Sequence, residues 1–238
     1  MIDDDDVSRV LVITAHPDDV DFGAAGSIAT WTAAGKEVAY CVVTDGDAGG
    51  FDPAVPRSEI PAIRRAEQTA AAKVVGVSEL TFLGYPDGRL EVTIDLRRDI
   101  SRVIRQCRPQ SVVCQSPQRS WDRIYASHPD HLAAGEAAVC AVYPDARNPF
   151  AHPELALQGW DAWTVPEVWL MAHAQANTWV DVTASIDRKV AALLAHESQI
   201  TDVAGLEERM RGWGAATAKA GGLAEGRLAE AFLRIDTA

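Results

Sequence analysis

Arg9-Val-Leu-Val-Ile-Thr14 runs without a break into Ala15-His16-Pro17-Asp18-Asp19-Val20-Asp21-Phe22-Gly23. The first six residues are a short apolar run, which reads as a strand buried on both faces. The stretch after it puts one imidazole and three carboxylates where that strand must end. Pro17 biases His16 away from helical geometry and keeps the histidine at the strand's end. Carboxylates crowded at the mouth of a sheet cost free energy unless a cation or strong donors compensate. A helix cap by Asp19 or Asp21 explains one carboxylate. It does not explain His16, Pro17 and a second Asp together. A dinucleotide-type phosphate turn is a poor match: the glycines read Gly23-Ala-Ala-Gly26 rather than GxGxxG, and three acids would repel a pyrophosphate.

Outward from this stretch the pattern alternates. Helices are expected over 23–34, 60–75, 94–107 and 132–142, and strands over 38–43, 80–83, 111–115, 167–171 and 179–182. A further long helix starts at Ile186, and the last thirty residues are weakly patterned. Alternating strands and helices predict an α/β fold: one Rossmann-like domain with a mainly parallel sheet flanked by helices. Ligands of such sheets bind beyond the carboxyl ends of the strands. Chemistry is therefore expected just after Thr14, Thr44, Leu83 and Gln115. Residues 144–166 read as a long loop, and a loop of that length in a compact domain is more often functional than idle.

The second motif, His128-Pro129-Asp130-His131, follows the strand at 111–115 and opens a helix. His128 and His131 are three apart and can share one side of a helical turn. Alone, HxxH is weak. Two His/Asp clusters at two strand ends are far more specific. Imidazole and carboxylate are good zinc ligands, and a catalytic zinc takes three protein ligands and leaves a place for water. A His and an Asp from the first motif and a His from the second supply three. His152, His173 and His196 are weaker candidates. No GxSxG elbow is present for a serine nucleophile.

The chain has 238 residues, 22 Lys plus Arg against 34 Asp plus Glu, and a formal net charge of −12. At roughly 150 residues per domain this fits a single α/β unit, taken as residues 9–238 behind an acidic tail at 1–8. No basic stripe is present to neutralise phosphates, so a nucleic-acid partner is not expected. No run approaches the roughly 18 apolar residues of a membrane span. Cys41, Cys107, Cys114 and Cys140 are widely spaced and read as reduced, buried thiols. The acidic N-terminus lacks a signal-peptide pattern, and the expected location is cytoplasmic.

AHPDDVDFGAAG at 15–26 and HPDH at 128–131 resemble the PIG-L or LmbE-like zinc N-deacetylases, which include deacetylases of N-acetylglucosaminyl-phosphatidylinositol and of the mycothiol and bacillithiol pathways. Arg64-Arg-Ala-Glu67, LGYPDG at 83–88 and Lys189…His196-Glu-Ser-Gln199 extend the match over nearly the whole chain. The resemblance implies Zn²⁺ or a similar divalent metal held by His16, Asp19 and His131. It implies Asp18 as general base, and His128 as the group that stabilises developing charge, with Asp130 as its electrostatic partner. It implies substrate contacts from Arg64 and Asp87. The mycothiol-pathway members carry a tyrosine two residues before the non-ligand His; here that place is Ala126, and Tyr125 lies one earlier. The implied reaction removes an acetyl group from an N-acetylglucosamine-type amino sugar or its conjugate and releases acetate. A metal-dependent amidase acting on a thiol conjugate, and a non-catalytic metal- or sugar-binding module, are the alternatives. Homo-oligomerisation is left open.

Overall fold

The computed structural model describes residues 7–237; the run of aspartates in the expected acidic tail lies outside the described residues. Seven strands form one sheet in the order β3-β2-β1-β4-β5-β7-β6. They are β1 Arg9–Thr14, β2 Glu37–Thr44, β3 Glu79–Tyr85, β4 Ser111–Gln115, β5 Glu167–Met171, β6 Thr178–Asp181 and β7 Ala229–Asp236. The helices are α1 Asp19–Ala33, α2 Ile60–Val74, α3 Ile94–Cys107, α4 Pro129–Cys140, α5 Pro153–Leu157, α6 Ile186–Leu194 and α7 Val203–Ala220. β3, β2, β1, β4 and β5 pair in parallel, while β7 is antiparallel to both of its neighbours. The expected fold class is the one observed, with an antiparallel strand added near one edge.

β1 explains the two-layer core. Successive side chains of a strand point to opposite faces. Leu11 and Ile13 pack with Leu96, Ile100 and Ile104 of α3 and with the alanines of α4. Val10 and Val12 pack with Ala24, Ala25 and Ile28 of α1 and Ala71 and Ala72 of α2. Both faces are dry, hence the unbroken apolar run. The chain winds β1-β2-β3 to one side and returns to place β4 on the other. The β1/β4 boundary is thus the point where strand order reverses, and in such sheets a crevice opens there. Gln115 Oε1 accepts the Ala15 N–H at 2.9 Å and ties the two strand ends together.

Four features depart from the sequence reading. α1 and α4 begin at Asp19 and Pro129, earlier than the alanine-rich runs suggest, so each polar motif spans a helix start: His16, Pro17 and Asp18 lead into α1, and His128 leads into α4. Pro129 suits a helix's first position, and His128 caps it by accepting the Asp130 N–H. The expected long helix from Ile186 is two: α6 ends at Leu194, and Asp202 starts α7 by accepting the Gly205 N–H. The weakly patterned last thirty residues hold the end of α7 and then β7, whose alternation is blurred because Arg234 and Glu230 form internal ion pairs. The loop at 144–166 is a packing device. Arg105, 1% exposed, donates to the carbonyls of Asp145, Ala146, Asn148, Ala151 and Trp160.

All four cysteines are free, and three of them are buried. No helix among the described residues is long and apolar enough to cross a membrane.

Candidate metal centre

His16 leaves β1 and points into the β1/β4 crevice. Its Nδ1 lies 3.3 Å from Asp19 Oδ2 and 3.3 Å from His131 Nε2, and His131 Nε2 lies 3.0 Å from Asp19 Oδ1. The three residues named from the resemblance as metal ligands thus converge on one point. Each ring is also turned by its other nitrogen. His16 Nε2 faces Asp87 Oδ1 at 3.0 Å and Asp130 Oδ2 at 3.3 Å. His131 Nδ1 faces the Ala126 carbonyl at 3.3 Å. Those outer partners only accept, so in the neutral ring each outer nitrogen carries the proton and each inner nitrogen has its lone pair free for a metal. This is how proteins orient histidines that ligate metals.

The electrostatics ask for a cation at the same point. Burial works against a charged His16, but Asp19 and hydrogen bonds to Asp130, Asp19 and Asp87 push its pKa up to about 12. Burial likewise opposes ionisation of Asp19, and His131 and His16 outweigh it and hold the carboxyl well below its usual range. Three carboxylates around one imidazole are satisfied by one proton or by a bound cation. The donor set of two imidazoles and a carboxylate fits zinc and similar divalent metals.

Asp18 stands beside the cluster in a left-handed backbone conformation, φ 89°. Its Oδ2 accepts from Arg64 Nη2 at 3.2 Å. Burial first, and then the charge of Asp19, raise its pKa to about 7, against the opposing pull of Arg64, His196 and His16. A carboxylate poised there is suited to accept a proton near neutrality.

His128 is half-buried, its ring centroid 4.9 Å from that of His16. Its Nδ1 accepts the Asp130 backbone N–H at 3.2 Å, so the proton of the neutral ring sits on Nε2. Burial, then the neighbouring His16 and His131, lower its pKa.

The structure gives three of the implied residues further partners. The Asp130 carboxylate faces His16 and also accepts the Gly88 and Leu90 N–H groups, while its charge acts on the neighbouring His128 as well. Burial opposes its charge, yet the hydrogen bonds from His16, Gly88 and Leu90 bring its pKa down to about 2. Asp87 is spent on His16 and the Ala48 N–H. Arg64 is 3% exposed, and its Nη2 is shared between the Pro17 carbonyl and Asp18. Tyr125 is 62% exposed, on the wall of a cavity of about 300 Å³ that also takes in Asp19, His131, Met171 and Trp213. Neither Asp19 nor Asp21 caps α1: Asp19 Oδ2 accepts the His16 N–H and Asp21 lies in the core. Gln68 and Asp21, which hold Asp18 from behind, were not expected as functional.

Residues 11–142 match the PIG-L family, described as GlcNAc-PI de-N-acetylase. The chain belongs to this family. It is 32% identical over 197 residues to the diacetylchitobiose deacetylase of Thermococcus kodakarensis, covering 83% of this chain and 72% of that protein. It is 30% identical over 198 residues to a probable N-acetyl-alpha-D-glucosaminyl L-malate deacetylase 2 of Bacillus anthracis, covering 80% and 81%. Among solved structures, the N,N'-diacetylchitobiose deacetylase of Pyrococcus horikoshii in complex with its inhibitor superposes with a TM-score of 0.89. The identity there is 28%, over 98% of this chain and 85% of that one. The two PIG-L motifs at 15–26 and 128–131 are thus the same residues that build the His/Asp cluster.

Proposed function

We propose that this PIG-L protein is a metal-dependent N-deacetylase that hydrolyses the acetamide of an N-acetylglucosamine-type amino sugar or its conjugate. The observation that carries the reading is the convergence of His16 Nδ1, His131 Nε2 and Asp19, with Asp18 alongside. The named activities of the relatives in this family agree with it.

His16, Asp19 and His131 would hold the metal. When bound, a zinc or similar divalent ion polarises the amide carbonyl and makes water a stronger acid. Asp18 takes the proton of the attacking water. Arg64 orients the Asp18 carboxylate and sets its basicity. His128 aims Nε2–H at the carbonyl oxygen, where negative charge develops, an interaction that counts mainly in the transition state. The proton held on Asp18 goes to the nitrogen as the C–N bond breaks, leaving acetate and a free amine. Asp87 and Asp130 fix the His16 ring. The cavity with Tyr125, Met171 and Trp213 on its walls borders the same ligands and offers an apolar side to the reacting group.

The test is a product assay on metal-loaded protein with N-acetylglucosamine, its inositol conjugate and its glycosides. Equal amounts of acetate and free amine are expected, abolished by a chelator while circular dichroism is unchanged. Release of a larger acid from a thiol-conjugate amide would assign the other amidase reaction. Metal-loaded protein that binds the sugars without releasing acetate would leave a binding module.

A further inference from the structure

Asp18 adopts φ 89° and ψ −27° just ahead of α1. Side chains other than glycine rarely take this conformation, and it persists only where the surroundings enforce it. A chain of three buried groups stands behind it. The Asp18 N–H donates to Gln68 Oε1 at 2.7 Å. Gln68 Nε2 donates to Asp21 Oδ2 at 2.8 Å. The same oxygen lies 2.8 Å from His196 Nε2.

Gln68, Asp21 and His196 are all 0% exposed, so none can touch substrate. Asp21 Oδ1 and His196 Nδ1 have no hydrogen-bond partner, so the row is held through Asp21 Oδ2 and His196 Nε2. Only one amide orientation satisfies Gln68: oxygen toward the Asp18 N–H, nitrogen toward the Asp21 carboxylate. The direction of the row is therefore fixed. Its far end is anchored as well. Glu67, next to Gln68 on α2, accepts both the N–H and the hydroxyl of Ser198 at 2.7 Å. That bond docks the break between α6 and α7, which carries His196, onto α2. Arg64, one helical turn before Gln68, reaches the Asp18 carboxylate from the same helix face.

We propose that Gln68, Asp21 and His196 are positioning residues for Asp18: a buried polar strut that holds its backbone left-handed and so aims its carboxylate at the attacking water. The inference rests on Asp18 being the base of the proposed deacetylation. It gives a role to the late His-Glu-Ser-Gln segment, which lies far along the chain from both motifs.

The experiment uses metal-loaded enzyme and the N-acetylated sugar from which acetate release is measured. Gln68→Met keeps the volume and removes both polar ends. Its kcat is expected to fall about 10- to 100-fold, since small misplacements of a reacting group cost rates of that order. KM should move less than about three-fold, with metal content unchanged. In an Asp18→Asn background, Gln68→Met should cost less than about three-fold more, because the strut acts only through the Asp18 carboxylate. His196→Gln keeps a nitrogen near the Nε2 position and should recover most of the rate lost in His196→Leu. That pair tests the strut from its far end if Gln68→Met does not fold. Losses that add fully to Asp18→Asn, or a normal kcat in Gln68→Met and His196→Leu, would overturn the proposal. An Asp18→Asn enzyme at full rate would remove the base assignment itself, a distinct result read from that single variant.

Discussion

His16 Nε2 lies 3.3 Å from Asp130 Oδ2, on the ring edge opposite Asp19 and His131. The carboxylate fixes which nitrogen carries the proton, so the other can ligate. It is itself 1% exposed and held by two backbone N–H groups, so it cannot turn away. Asp130→Asn should weaken metal binding about 10- to 100-fold, the range for a lost outer partner of a ligating histidine. Competitive metal titration reads this directly. Full occupancy with a reduced kcat would instead make Asp130 a partner of His128.

Arg64 can act in two ways that kinetics separate. If it works through Asp18, Arg64→Ala removes the cation that holds the Asp18 pKa down. The acidic limb of kcat/KM should then shift to higher pH, with lower kcat and retained metal. A guanidinium that mainly contacts substrate would raise KM and leave the limb in place.

The raised pKa of Asp18 also sets a stability trend in chelated protein. Folded, the group titrates at about 7; its ordinary value is 3.8. Between those values the native chain keeps a proton that the unfolded chain has released. The unfolded state then binds fewer protons, so stability falls as pH rises through this window. Asp18→Asn removes the penalty. Its Tm advantage over the wild type should be small near pH 4, grow with pH and level off above about 7. A pH-independent difference would show that Asp18 titrates alike in both states.

Much of this was readable from residues. The apolar run at 9–14 is buried on both faces, as its lack of alternation implies, and each His/Asp motif does follow a sheet strand. Partner choice was less readable. HPDH suggests Asp130 as the partner of its neighbour His128, and gives no hint that the first turn of α4 also brings the carboxylate to His16 across 114 positions of sequence. Gln68 and Asp21 gave no signal because a glutamine on an amphipathic helix and an acid near a helix start have ordinary surface explanations. β7 was hidden because its polar side chains pair internally, which breaks the two-residue period.

Gly135 places His131. The two are four apart on one face of α4, and a Cβ at Gly135 would lie 2.3 Å from the Gln115 carbonyl oxygen. Backbone cannot move aside as a side chain can. Gly135→Ala must push α4 off the end of β4 and carry His131 away from Asp19. A loss of roughly 1–3 kcal/mol is expected, as for overpacked cores, together with weaker metal binding. Thermal unfolding of chelated protein and a metal titration check the two effects. Unchanged values in both would mean that the helix is not seated on the strand end.

The last prediction separates base from ligand in adjacent residues. Asp19 bridges His16 and His131 through its two oxygens, whereas Asp18 faces Arg64. Asn keeps the shape of Asp and removes its charge and nearly all its basicity. Asp18→Asn should therefore keep its metal and slow turnover by about 10²- to 10⁴-fold, the usual contribution of a general base. Asp19→Asn should lose metal affinity, and excess metal should restore part of its activity. The two must be measured together, since either alone could mimic the other through a general disturbance of the site. Metal content per chain and kcat at saturating metal are the two readouts. Metal lost from Asp18→Asn, with metal kept and a deep rate defect in Asp19→Asn, would exchange the two roles.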